Sequence, residues 1–395
     1  MGGAVAEGIV LSGVRVGRRL LAAASGGIAA LAVTVAPVAT AHASEDAAKV
    51  VAKGLDSPRG LFFGPDGTLY IAESGHGGKV RCATPPAPEG EKAEKMCLGL
   101  TGRVSTLKDG KSSVLIGGLP SAASGGFALG PHDVALTGKG DLLVTVGFSG
   151  DTAFRAKLGP KGKTLGTLLT LSAKGRTISI ADLAAHETKR NPDGKDKGSS
   201  VDSYPFGVAP LPGGGALVAD TGGNSVLRVS RKGGVSTEAV FHARSVAAPP
   251  ALKMPKGSKI PMQSVPMGIA QGPDGAYYVA EHGGFPNPEG AARVLRLERG
   301  KVTTAAKGFT TVADVTFDAA GRLIVLGSVG PIPADGMTKS AVYRIEADGT
   351  RTELLKPGTL VTPLSVAVGP DGAVYVANKA MVPGKGEVLR VPVSE

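Results

Sequence analysis

The chain has 395 residues, 60 glycines, two cysteines, no tryptophan and a formal net charge of +11. Aromatic residues make up only 4%, too few for a base-stacking platform, and the lysines are scattered through turns, where they keep strand edges soluble. Nucleic acid is therefore not the expected partner.

In chain order, Arg15, Arg18 and Arg19 come first, ahead of an apolar run over residues 20–38. Ala41-His42-Ala43 then offers small residues for cleavage. This is the pattern of a secretory signal peptide, residues 1–43, with one domain over 44–395. An uncleaved anchor is the alternative, but the break at Pro37 and the Ala-x-Ala site favour cleavage. No later segment is long and apolar enough to span a bilayer. The chain after residue 43 keeps a net charge of about +9.

The first candidate strand is Lys49 to Leu55, which resembles Thr303 to Phe309 further on. A repeat follows. Six times a short apolar strand meets a glycine turn, at Gly67, Gly140, Gly214, Gly275, Gly321 and Gly372, and a second apolar strand follows. Three turns read Gly-Pro-Asp-Gly, at 64–67, 272–275 and 369–372. Pro and Asp preset the turn, and the last Gly accepts a positive φ. The turn glycines are 73, 74, 61, 46 and 51 residues apart. A unit of about fifty residues with room for four strands matches a propeller blade, the longer intervals carrying insertions. In the first unit the strands are expected over 60–63, 68–72, 102–107 and 113–116.

Cys82 and Cys97 both fall in the first insertion, beside a Pro- and Glu-rich stretch. In an exported chain such a pair reads as a disulfide. A metal site would need further partners, and His76 is the only nearby histidine. The one helix candidate runs from Asp182 to Lys189, with Asp182 as its cap. The sixth unit stops after its third strand, and residues 49–55 are spare. The expectation is an all-β, six-bladed β-propeller of four-stranded antiparallel blades, closed by that N-terminal strand, which removes an unpaired edge.

The a–b turns are tight, whereas insertions fall in the b–c and d–a loops: 74–101 and 283–291 in the first kind, 120–131, 182–204 and 242–265 in the second. One face is plain and the other elaborated, and function resides on variable loops of a rigid scaffold. Polar residues gather there. The residue ending strand b is Glu73, Asp220, Glu281 or Asn378 in four units, but Val146 and Gly327 in two. The starts of strand a supply Arg59, His132-Asp133, Tyr204, Gln263 and Asp314. The candidate ligand-binding set is Arg59, Glu73, His132, Asp133, Asp220, Glu281, Asp314 and Asn378. The mix suits a cation or a polyhydroxylated ligand, and carboxylates around a mouth could bind a divalent cation such as calcium. Strand-end Asp, Glu and Asn residues also commonly cap turns, so the same residues have a purely structural reading. No catalytic residue is assigned: there is no G-x-S-x-G elbow, H-E-x-x-H helix or phosphate-binding glycine loop.

Gly54-Leu55-Asp56-Ser57-Pro58-Arg59-Gly60-Leu61, Gly130-Pro131-His132-Asp133-Val134, Asn191-Pro192-Asp193-Gly194, Val201-Asp202-Ser203-Tyr204-Pro205-Phe206-Gly207 and Met262-Gln263-Ser264-Val265-Pro266 carry a resemblance to the ScyD/ScyE-type family of secreted bacterial proteins. It runs from about residue 50 to the end, and the Gly-Pro-Asp-Gly units also look like NHL repeats. The resemblance implies a signal peptide and a six-bladed propeller, with no established activity. The resulting expectation is a secreted, monomeric, noncatalytic scaffold that binds a protein, glycan or small molecule at the loop-rich face. The alternative is a metal-dependent, lactonase-like hydrolase or a quinoprotein-like oxidoreductase with its site at the channel mouth, an analogy of fold alone.

Overall fold

The computed structural model describes residues 48–86, 93–196, 200–333, 336 and 338–393; the signal peptide expected over 1–43 lies outside them. Six four-stranded antiparallel blades form a ring, with strand a innermost and strand d at the rim. Blade 1 has strands a Pro58–Phe63, b Leu69–Glu73, c Met96–Lys108 and d Lys111–Ser124. Blade 2 follows with Pro131–Leu136, Leu142–Val146, Thr167–Leu171 and Thr177–Asp182, and blade 3 with Pro205–Pro210, Ala216–Asp220, Ser225–Val229 and Val235–Val240. Blade 4 comprises Pro266–Gln271, Tyr277–Glu281, Ala292–Glu298 and Lys301–Phe309. Blade 5 comprises Thr311–Phe317, Leu323–Ser328, Ala341–Ile345 and Arg351–Leu355. Blade 6 takes strands a to c from Ser365–Val368, Val374–Asn378 and Gly386–Val391, and its strand d is Lys49–Leu55. Lys49 pairs with Arg390 and Leu55 with Gly386, so the two ends of the chain share one blade, as the spare strand predicted.

The repeated turn works as its residues dictate. Gly67, Gly275 and Gly372 hold φ of 76°, 78° and 71°, which a side chain would resist. Their amides donate to the carbonyls of Gly64, Gly272 and Gly369. In each, the Asp accepts from the amide two residues on, at Thr68, Ala276 and Ala373.

Blade 1 departs from the expected boundaries. Its c and d strands are 13 and 14 residues long, so 96–101 and 120–124 are ladder rather than loop. Two short strands lie against this extension, Arg81–Ala83 on strand c and Phe127–Leu129 on strand d. The reason is burial: Met96, Leu98, Ala122 and Leu129 fill the core beneath. Cys82 pairs directly with Cys97 across the first of these, and the two form a disulfide.

The helix over Leu183–Arg190 matches its expected start, with the Asp182 carboxylate accepting from the Ala185 amide at 2.9 Å. A further helix, Thr152–Lys157, was not expected. It occupies the b–c loop of blade 2, is capped by Asp151, and packs Phe154 on Phe148. The loop between blades 3 and 4 carries a hairpin, Arg244–Ala247 with Lys259–Met262.

Candidate functional site

The inner strands form stacked layers around the axis. Strand a is bulged in five blades, with register shifts between Pro58 and Gly60, Pro131 and Asp133, Pro205 and Val208, Pro266 and Ile269, and Val312 and Asp314. A bulge adds a residue and re-aims its side chain. Arg59, Phe206, Met267 and Leu364 line the cavity at the loop-rich mouth, and His132 packs against Phe206 beside it.

The next layer is Gly60, Asp133, Gly207, Gly268, Asp314 and Ser365. A Cβ on Gly60 would lie 2.4 Å from the Asp133 Oδ1, and one on Gly207 2.7 Å from the Met267 carbonyl. Gly60 thus lets its strand close on Asp133, Gly268 does the same at Asp314, and Gly207 lets the backbone of blade 4 approach. Asp133 Oδ2 accepts from the Val208 amide of blade 3 at 2.8 Å. Asp314 Oδ2 accepts from the Val366 amide of blade 6 at 2.9 Å and from Ser365 Oγ at 2.8 Å. Each clasps the neighbouring blade. Burial raises both: Asp133 goes well above the usual range, helped by the Asp314 charge, and Asp314 rises to about 6. They form the floor of the mouth.

The four strand-b acids and amide look away from the axis, into the d–a loop of their own blade. Glu73 Oε2 accepts from the Asp56 amide and from Arg103, each at 2.6 Å, and Oε1 accepts a short bond from Ser105. Asp220 accepts from the Tyr204 amide at 2.6 Å and from Ser203 Oγ at 2.7 Å. Glu281 binds Ser264 Oγ, Arg244 and Arg293. The Asn378 Oδ1 accepts from the Val361 amide at 2.7 Å, and its amide donates to Glu387. One recurring device holds the connection that precedes strand a. His76 pairs with Asp56 at the surface, and His282 is half-buried with its Nδ1 on the Gly283 carbonyl. Among the described residues no group of three or more His, Cys, Asp or Glu could hold a metal ion.

What converges on the mouth is therefore a subset of the candidates plus residues the sequence did not single out. Arg59 is 2% exposed. Its one side-chain hydrogen bond among the described residues runs from Nη2 to the Ala128 carbonyl, 2.9 Å away, and its Nε is buried without a partner. Phe127 stands over the guanidinium, 4.8 Å from ring centroid to Cζ. His132 is wholly buried, with the Phe206 ring centroid 3.8 Å from its own. Its Nε2 lies 2.9 Å from the Tyr204 hydroxyl, and its Nδ1 has no partner beyond its own backbone. Burial, with the Arg59 charge added, pushes His132 well below its ordinary value, so the ring is neutral. Tyr204, buried likewise, rises to about 12 and stays protonated.

Arg59, Phe127, Tyr204, Phe206, Met267, Leu364 and Met381 enclose a cavity of about 10 Å³. A larger open concavity of about 470 Å³ lies at the rim of blade 3, lined by His186, Arg190 and Thr237. It is a surface trough and contains none of the candidates. Backbone strain also gathers around the mouth: Val265 and Thr362, both β-branched, hold φ of 55° and 43° just before prolines. Such residues persist only where the surroundings over-determine them.

No family model matches the sequence. No curated protein matches it either. Among solved structures, the chain is similar to a protein of unknown function from Bacteroides thetaiotaomicron, at 10% identity over 89% of this chain and 74% of that one, with a TM-score of 0.50. It is also similar to an oxidoreductase of the glucose dehydrogenase kind from Thermus thermophilus, at 18% identity over 88% and 99% of the two chains, TM-score 0.49. A third is virginiamycin B lyase from Staphylococcus aureus, at 13% identity over 88% and 99%, TM-score 0.45. At such identities the likeness reaches the fold alone.

Proposed function

We propose that this protein is an exported, noncatalytic binding propeller of the ScyD/ScyE type, which holds a small molecule at the mouth of its loop-rich face. Residues 1–43 act as the signal peptide, and 44–395 form one monomeric domain. Export is supported by the basic-then-apolar N terminus, the Ala-x-Ala site and the disulfide between Cys82 and Cys97. The observation that carries the binding reading is the mouth itself. Arg59, a buried group with unused hydrogen-bonding capacity, sits among apolar walls, the composition of a ligand pocket, and His132 backs Tyr204 and Phe206 from behind.

Of the eight candidates, Arg59 touches the ligand in this reading, and His132 positions Tyr204 behind it. Glu73, Asp133, Asp220, Glu281, Asp314 and Asn378 hold the surrounding loops and inner strands. A divalent cation such as calcium would have to displace guanidinium groups from Glu73 or Glu281, so it forms no part of the reading.

The test is native mass spectrometry of protein purified from the export medium, with N-terminal sequencing. The expected result is Ser44 at the N terminus and a retained small molecule, lost when Leu364→Trp fills the mouth. Protein that begins upstream of Leu20 refutes export, and protein that carries no small molecule in either form refutes the site.

A further inference from the structure

A guanidinium cannot give up its proton in a protein. Removing it from water is costly unless an anion or a full set of acceptors replaces the solvent. Most buried arginines have that replacement. Glu73 receives Arg103 and Glu281 receives Arg293, each with further bonds to the same carboxylate. Arg59 is more buried than either and has none. The axial carboxylates are already committed, Asp133 to Val134 and Val208, Asp314 to Val315, Ser365 and Val366. Arg59 is left with one carbonyl, one aromatic face and an unpartnered Nε.

The neighbours add a second donor. Neutral imidazole has one N–H and one bare nitrogen. If His132 Nε2 donates to Tyr204, the tyrosine hydroxyl is free to donate into the cavity. If Tyr204 donates to Nε2, the free N–H is Nδ1. The first tautomer leaves the Tyr204 hydroxyl as an unused donor beside an uncompensated cation, whereas in the second the Nδ1–H meets only its own backbone. All other cavity walls are apolar: Phe127, Phe206, Met267, Leu364 and Met381.

We propose that the Arg59, His132 and Tyr204 cluster is a receptor for the carboxylate of a compact organic acid with an apolar body. The proposal rests on the mouth being the binding site. The carboxylate would lie against the fork of Arg59, whose paired donors match its two oxygens, with Tyr204 donating to one of them. The free volume, about 10 Å³, admits no more than one water-sized group. The carboxylate therefore enters only as Phe127 moves aside, and the apolar body takes the place of that ring. That ring is only half-buried, and it follows Gly125 and Gly126, which turn the chain at φ of 56° and 87°. Phe127 is in this sense a stand-in that covers the cation when no ligand is bound.

The test uses benzoate, with benzamide as the neutral isostere and chloride as the simple anion, all at one ionic strength. Calorimetric titration and the melting temperature are read together on the full mature chain. Benzoate should bind saturably and raise the melting temperature, and benzamide and chloride should do neither. Tyr204→Phe should weaken benzoate about tenfold, the loss of one hydrogen bond to a charged group. Arg59→Met should abolish binding yet melt higher than the wild type without ligand, because an unpaired buried charge is gone. Should Arg59→Met fail to fold, Arg59→Lys decides. It keeps the charge and loses the fork, so benzoate binding should fall; unchanged binding overturns the proposal. Equal binding of benzamide, or of chloride, also overturns the carboxylate class, while a loss of that binding in Tyr204→Phe leaves the mouth as the site. If no compound binds and Arg59→Met melts lower, Arg59 is a structural clamp on Ala128, and both the class and the site fall.

Discussion

The two faces of the disc use the same side chains to opposite ends. On the plain face, the a–b turn aspartates are near the surface and meet donors. Lys108 and Thr68 hold Asp66 at about 2. Burial pushes Asp274 and Asp371 upward, but hydrogen bonds from Arg296, Ala276 and Tyr278, and from Arg390, Tyr375 and Ala373, leave both below the ordinary value. On the loop-rich side, burial dominates. Asp202 and Asp220 rise to about 6, and Glu187, packed near Asp220, Asp193 and Asp202 with one oxygen unpartnered, rises to about 8. The plain face is a row of satisfied, ionised turn aspartates, whereas the other buries carboxyl groups whose surroundings favour the protonated form.

The signs follow from linkage. A lowered carboxylate contributes stability that is present above about pH 4 and is lost as pH falls through the folded value. A raised one contributes stability that is complete below about pH 4 and is lost as pH rises through the folded value. The plain face therefore weakens in acid toward pH 2, and the loop-rich side weakens between pH 4 and 8.

The most drastic break in the contrast is to open the ring on which both faces depend. Deleting residues 44–54 removes most of strand d of blade 6. A melting temperature at least about 10 °C lower, or failure to fold, is expected, since a whole edge loses its partner. An unchanged melting curve would mean that the ring closes by other contacts. Next is the axial floor between the faces. Asp314→Asn turns an amide toward a backbone N–H that now donates to a carboxylate, and should cost about 1–3 kcal/mol in denaturant unfolding.

Removing the disulfide, as Cys82→Ala with Cys97→Ala, should cost up to about 3 kcal/mol by the loop-entropy argument. Hydrogen exchange should then quicken in Arg81–Ala83 and at 96–98 and stay unchanged at the a–b turns. Glu187→Gln is subtler: it removes a group that is protonated when folded, so the variant should gain melting temperature at pH 8 relative to wild type and gain little at pH 5. An equal gain at both would show that proton uptake is not the cause. The smallest effect belongs to the plain face. Asp274→Asn should lower the melting temperature only slightly, and less in high salt, because the carboxylate is exposed.

Much of the architecture was legible because it is local. The glycine turn, spelled Gly-Pro-Asp-Gly in three of its six copies, is specified by backbone dihedrals alone, so its six copies were enough to count the blades. The spare Lys49 to Leu55 strand and the incomplete sixth unit told of closure, since an unpaired edge has a cost that sequence exposes. Cys82 and Cys97 declared themselves by their proximity, and Asp182 by its capping position.

The site was less legible because its members are brought together by the ring. Phe127, Tyr204 and Met381 are far apart in sequence and meet only across the axis. Tyr204 stood at the start of a strand a, which was the one signal available, yet nothing local set it apart from Gln263. Glu73 and Arg59 looked alike as polar residues at one mouth. Strand pairing sends Glu73 into its own loop, where a guanidinium and a backbone amide satisfy it. A bulge sends Arg59 inward, where no carboxylate awaits it. The sequence by itself determined six blades, their turns, their closing strand and the cystine, all set by dihedral preference and short-range pairing. Only the tertiary structure decided which polar residues are satisfied and which are left with unused donors, because burial and partnership depend on what the other blades bring.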